Sequence, residues 1–201
     1  TYTLKDDVDA LKAAGQLNLE GNQAAADYFS GKLKIGEPVP EAGTNSKPAR
    51  KLTAAEEKVF KLGREIYFRD AHCATCHQAD GKGIPNIYPP LAKSNWLDDD
   101  ERITKILLKG LWGQITVNGQ HFDPTKGVPP MMGFGGLLND EEAAAVLSYV
   151  RLSFGNNGKL VSPATVKKVR EATQDRINFY TTEEILKDHP LKPAAPAKGK
   201  K

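Results

Sequence analysis

Cys73-Ala74-Thr75-Cys76-His77 is the stretch of this chain whose residue types and spacing carry the most chemistry. Two thiols three positions apart, with an imidazole directly after the second, let one short turn form two thioether bonds and offer a nitrogen to iron. This is the C-x-x-C-H signature of covalent c-type haem attachment. The same cysteines suit a redox-active dithiol or half of a zinc site. A thioredoxin-like dithiol belongs at the strand-to-helix junction of a βαβ unit, a pattern absent here. A structural zinc site needs two more ordered ligands, yet the chain has 2 cysteines in all, and His121 and His189 are distant and unpaired in sequence. Neither alternative explains the histidine. With His77 on one face of the iron, the other face needs a soft donor or stays open. Met131 and Met132 are the chain's 2 methionines and begin 54 residues after His77, room enough for a helix and loops to return over the opposite face. Core filling is their alternative role, since the flexible thioether fills gaps well. His121 is a further candidate ligand but reads better as a solvent-facing loop residue after the Asn118-Gly119 turn.

The elements that must position these groups are helical. Thr53-Ala54-Ala55-Glu56 is a capping box, and the helix it starts is expected to run to about Asp70 with Val59, Phe60, Gly63, Ile66 and Tyr67 on one stripe. Gly63 costs about 1 kcal/mol relative to alanine inside a helix, so its place on the apolar stripe predicts a second helix crossing tightly there. Ser94 and the acidic run Asp98 to Glu101 precede Ile103, Ile106, Leu107 and Leu111, a short helix with acids at its positive end. Trp96 and Trp112 are expected in the core, each with an indole N–H able to reach a haem propionate. Gly113 to Gly119 reads as a loop turning at Asn118-Gly119.

Asn139 to Glu142 starts a helix through Phe154, ending near Gly155, with Val146, Leu147, Tyr149 and Val150 buried. Ser162-Pro163 opens another helix through Val166 and Val169, and Thr181 to Glu184 one more short turn. Before position 53, apolar spacing at Leu4, Val8 and Leu11 and again over about Glu20 to Phe29 gives two short helices, followed by a Pro/Gly/Ser linker to Pro48. The fold class is therefore all-α, divided into an N-terminal extension at 1–52, a haem domain at 53–156 and a C-terminal extension at 157–201 that wraps the domain and ends in a lysine-rich tail.

Gly63-Arg64-Glu65-Ile66-Tyr67 followed by Cys73 to His77 resembles the first helix and haem turn of class I cytochromes c, in which a glycine-containing first helix crosses a last helix bearing an aromatic. By that resemblance Tyr149 is the aromatic set against Gly63. Gly81, Gly83, Pro85 and Tyr88-Pro89-Pro90-Leu91-Ala92 resemble the loop after the haem turn. The resemblance implies that the Pro89 carbonyl accepts the Nδ1 hydrogen of His77, a contact that fixes the imidazole tautomer and raises its basicity. It also implies that Tyr88, Leu91, Trp112 and Phe134 line the haem pocket. Pro129-Pro130-Met131-Met132-Gly133-Phe134-Gly135 is similar to the family's methionine loop, commonly Met-Pro-x-Phe-Gly. Alignment on Phe134-Gly135 makes Met131 the sixth ligand. Met132 stands at the usual proline position and is the alternative.

One covalent haem c with His77 and Met131 on the iron implies a six-coordinate carrier of single electrons, with methionine raising the potential and no residue acting as a chemical catalyst. The run from Ile115 to Gly119 and that from Leu147 to Asn156 are similar to cytochrome modules that accompany periplasmic oxidoreductases such as quinoprotein dehydrogenases and copper nitrite reductases. The partners implied are periplasmic redox proteins. Should neither methionine bind, the alternative is an open haem of peroxidase-like or gas-sensing type.

Charge supports a protein partner. The net charge is +3, but the last ten residues hold four lysines and no acid, leaving −1 on the other 191. Residues 53–156 carry 11 basic against 13 acidic side chains, so a nucleic-acid role has no basic groove to stand on. No apolar run approaches the roughly 18 residues a membrane span needs. The chain starts at Thr1 without a methionine, which fits removal of a signal peptide and a periplasmic location; a trimmed chain would begin the same way.

Overall fold

The computed structural model describes residues 48–69 and 72–192. The two short helices expected before position 48 and the lysine-rich end beyond 192 lie outside these. Six α-helices dominate the described residues: α1 Ala54–Tyr67, α2 Cys73–His77, α3 Asp100–Lys109, α4 Asp140–Leu152, α5 Pro163–Ala172 and α6 Thr182–Asp188. Four short strands accompany them, β1 Leu111–Trp112, β2 Ile115–Val117, β3 Gln120–Phe122 and β4 Tyr180–Thr181.

The starts of these helices follow from their caps. Thr53 accepts from the Glu56 amide while the Glu56 carboxylate accepts from the Thr53 amide, so two orphan donors of the first turn are satisfied. Asn139 and Glu142 repeat the box on α4, and Thr181 and Glu184 repeat it on α6. The expected short turn at Thr181 is thus a seven-residue helix. At its other end α1 stops at Tyr67 rather than about Asp70, where Phe68 leaves helical geometry and donates its amide back to Arg64.

Helices α1 and α4 cross at Gly63. A Cβ there would stand 2.0 Å from the Ala145 carbonyl oxygen and 2.8 Å from the Tyr149 Cβ, so only glycine permits the approach. The crossing seats the Tyr149 ring 5.0 Å from Phe60 and 5.3 Å from Tyr67, and the Tyr67 ring 5.2 Å from Phe154. These rings belong to a first core cluster formed by α1, α3, α4 and α5, which includes Val161, Val166 and Val169 from beyond position 156. A second cluster joins Trp96, Ile106, Leu111, Val117 and Phe122 to Tyr180 and Ile185. The described part of the C-terminal segment therefore supplies side chains to both cores and belongs to the same compact unit as the helices before it.

Two features differ from the sequence expectation. The stretch from Gly113 to Phe122 is an antiparallel β2–β3 hairpin with Ile115 opposite Phe122. Asn118 and Gly119 take φ of 52° and 78° at its tip, a pair of left-handed residues that matches strand twist. Trp112 is 43% exposed although Trp96 is buried. Neighbouring residues of a strand face opposite sides, and Leu111 takes the inward side of β1.

Gly63→Leu should force the helices apart and destabilise the haem-loaded protein by about 1–3 kcal/mol or more through overpacking; an unaltered denaturant midpoint would mean that the two backbones are not held in contact there. The first capping box gives a pH prediction. The Arg50 guanidinium and the Thr53 amide hold the Glu56 carboxyl down to about 2, below its value in an unfolded chain of about 4.3. The stabilisation is therefore complete above that value and lost as pH falls toward 2. The melting temperatures of the parent and Glu56→Gln should differ at neutral pH and converge over that window, whereas a constant gap would remove the carboxylate from the account.

Candidate haem site

Helix α2 is the Cys73–His77 turn itself, closed by the Gln78 amide donating to Ala74. Five residues make too short a helix to hold their own shape, and α1 holds them. The Tyr67 hydroxyl donates to the Gln78 carbonyl at 2.7 Å. Burial of that phenol pushes its pKa upward, so it stays a donor. Tyr67 appears in the sequence only as a core position; nothing in the α1 stripe announces what its hydroxyl does.

His77 Nδ1 lies 2.9 Å from the Pro89 carbonyl oxygen. Burial lowers the imidazole pKa and the Pro89 carbonyl raises it, with burial the larger effect. The neutral ring gives its one hydrogen to Pro89, which leaves Nε2 with a lone pair. Gly83 makes this contact possible. Its amide donates to the His77 carbonyl at 3.0 Å, and its φ is +66°, with the site of an added Cβ 2.1 Å from the Tyr88 carbonyl oxygen and 2.7 Å from that of Pro89.

The Cys73 and Cys76 side chains are half-buried and not joined in a disulfide. Burial pushes the Cys73 thiol up to about 12. The Tyr88 phenol is raised by burial, then by the charge of Cys76 and a hydrogen bond with it. Among the described residues no three His, Cys, Asp or Glu side chains gather as a metal cluster, so the zinc alternative finds no partner ligands there.

The methionine loop is built on the end of α3. Met131 exchanges both backbone hydrogen bonds with Leu111, each 3.0 Å, and the amides of Phe134 and Gly135 donate to the carbonyls of Leu107 and Leu108. Met131 is half-buried and touches both core clusters, whereas Met132 is 58% exposed. Cys73, Ala74, Leu91, Phe134 and Met131 all pack against the first cluster. Trp112 joins neither cluster. The Trp96 indole N–H is already given to the Thr116 carbonyl at 2.9 Å, which takes it from propionate binding. His121 is an exposed hairpin residue beside Thr116. A neighbour that sequence reasoning missed is His72, whose ring centroid stands 5.4 Å from that of Phe134.

Two thiols on one helical turn, an imidazole with its Nδ1 hydrogen engaged and its Nε2 free, and a backbone-held thioether on the same core form a donor set that fits haem c. The cytochrome c family model matches residues 60–153. Over 131 residues the chain is 35% identical to cytochrome c-552 of Thermus thermophilus, an alignment spanning 62% of this chain and 91% of that protein. The chain belongs to the cytochrome c family. It is also similar to the cytochrome c subunit of the alcohol dehydrogenase (quinone) of Gluconobacter oxydans, 31% identical over 154 residues that make up 74% of this chain and 30% of the subunit. The fructose dehydrogenase cytochrome subunit of Gluconobacter japonicus is 33% identical over 114 residues, 54% of this chain and 22% of that subunit. This cytochrome therefore carries covalently bound haem c and transfers electrons; it is a carrier rather than a catalyst.

Gly83→Ala should push the Pro89 carbonyl off His77. The expected result in the haem-loaded protein is a lower melting temperature together with a shifted or exchange-broadened His77 Nδ1–H proton signal. An unmoved signal would show that the loop accommodates the methyl group without disturbing the His77 ring.

Proposed function

We propose that Cys73 and Cys76 bind the haem through thioether bonds, that His77 Nε2 and the Met131 sulfur are the two axial ligands, and that Tyr88, Pro89, Leu91 and Phe134 line the pocket. The observation that carries this reading is the His77–Pro89 hydrogen bond, because it orients the ring, fixes the tautomer and leaves Nε2 as the free donor. Haem c, when bound, supplies a reversible one-electron couple. The chain's own residues do the rest. With haem bound, His77 and Met131 would hold the iron from either side and leave no position for substrate, and the thioether would favour the reduced state and raise the potential.

The electron partners on this reading are extracytoplasmic redox proteins, and a dehydrogenase is the donor that the names of the relatives suggest. Docking would use a small transient interface. Among the described residues no helix is long and apolar enough to cross a membrane.

Optical spectra of the oxidised holo-protein test the ligand set. The weak sulfur-to-iron band should vanish in Met131→Ala, with the reduction potential falling, and persist in Met132→Ala. Loss of the band only in Met132→Ala would transfer the ligand role. A high-spin parent protein that binds added ligands at once would replace electron carriage with an open, peroxidase-like or gas-binding site.

A further inference from the structure

The methionine loop is gripped from two sides by the segment that follows the region matched by the family. On one side β4 lies parallel to β1, with Tyr180 opposite Leu111, and Leu111 is the residue that exchanges both backbone hydrogen bonds with Met131. Met131, Leu111 and Tyr180 thus stand side by side. The Tyr180 amide donates to the Gly110 carbonyl at 3.2 Å, and a Cβ on Gly110 would meet the Met131 carbonyl oxygen at 2.4 Å and the Phe179 ring at 2.7 Å. On the other side Arg170 of α5 spends its planar fork on the loop itself. Its Nη1 donates to the Gly135 carbonyl, its Nη2 to the Leu138 carbonyl at 2.8 Å, and its Nε to the Asp140 carboxylate at 2.7 Å. Three partners in fixed directions are what a guanidinium provides and an ammonium does not.

The far end of the segment is fastened as well. Arg102, fully buried, donates to the carbonyls of His189 at 3.0 Å and Pro190 at 3.1 Å, and also to those of Trp96 and Asn95. The strand and α6 between these anchors therefore have little freedom to drift from β1.

We propose that Arg170 and β4 are positioning elements for the axial sulfur: the C-terminal segment holds the Met131 loop in place and so sets how readily the sulfur leaves the iron. This rests on Met131 being the ligand. Arg170 touches neither haem nor iron and acts through the carbonyls of Gly135 and Leu138.

The test is the rate of cyanide binding to the oxidised holo-protein, which requires the sixth ligand to depart. Arg170→Gln should accelerate it about tenfold or more, the scale of losing one charge-assisted hydrogen bond from the closed state, and should lower the reduction potential. Arg170→Lys should fall between the two. Phe60→Leu, which loosens the ring packing where α1 meets α4, is the control for stability. The proposal is overturned when Arg170→Gln exchanges no faster than the parent, or no faster than Phe60→Leu at a matched melting temperature. Should Arg170→Gln give no holo-protein, Asp140→Ala removes the acceptor of the Arg170 Nε instead, with a faster exchange than the parent expected and parent-like exchange counting against the idea. A sulfur-to-iron band that survives in Met131→Ala would overturn the ligand assignment itself. That result is separate from a band that is lost in Met131→Ala while Arg170→Gln exchanges normally.

Discussion

The contact between the α1 backbone at Gly63 and the α4 backbone at Ala145 is the constraint from which the proximal half of the site descends. With no side chain between them, the helices bring Tyr149 onto Phe60 and Tyr67. Tyr67 is then fixed by rings on several sides and can aim its hydroxyl at the Gln78 carbonyl. That bond closes the end of a helix too short to persist alone. A helix crossing in the core thereby becomes a restraint on the residue next to His77. Just past the end of α1, Arg69 pairs with Glu142 of α4, and the Glu142 carboxylate also completes the α4 capping box.

The distal half depends on other contacts. Met131, Phe134 and Gly135 hang from the carbonyls of Leu111, Leu107 and Leu108, so their position follows α3 and β1 rather than α1. The two halves share Met131, which touches both core clusters. Loss of packing in one cluster need not displace both His77 and Met131, because local opening follows the contacts of each region rather than the stability of the whole. Burial separates the two sulfurs as well. A thioether packed on two cores with its backbone doubly bonded has less freedom to lose on binding than Met132, which faces solvent.

What could be read from the sequence was local or periodic. The capping box at Thr53 and the acidic first turn after Asn139 each lie within four consecutive letters, and the helices start where those letters say. Gly63 could be placed at a tight crossing because it sits on an apolar stripe without a side chain, while Tyr149 as its partner came from the resemblance to class I cytochromes c. The covalent turn at Cys73 to His77 is contiguous and needs no tertiary knowledge. By contrast, β1 and β4 are two residues each, too short for alternation to show. That is why Tyr180 gave no hint of pairing with Leu111, and why Trp112, expected inside because a haem pocket needs large apolar side chains, could not be assigned the outward side of β1. Arg170 reads as one more polar residue of an amphipathic helix; its carbonyl partners lie 32 and 35 residues away. Side chain to backbone contacts of that range leave no trace in residue pattern, since every residue offers the same carbonyl.

Arg102 carries that argument furthest. A fully buried guanidinium is costly unless its donors are all met, and here four carbonyls and the Asp98 carboxylate meet them. Those carbonyls belong to Asn95 and Trp96 ahead of α3 and to His189 and Pro190 near the end of the described chain. Removing either set of acceptors would strand a buried charge, so the last described residues are bound into the interior energetically as well as spatially. The apolar residues agree, because Val161, Val166 and Val169 fill the first cluster and Tyr180 and Ile185 the second. The family match ends at residue 153, but hydrophobic burial and charge satisfaction both continue past it. Within the described chain, the stretch matched by the family model therefore stops short of the stretch that packs into the same two cores as the methionine loop.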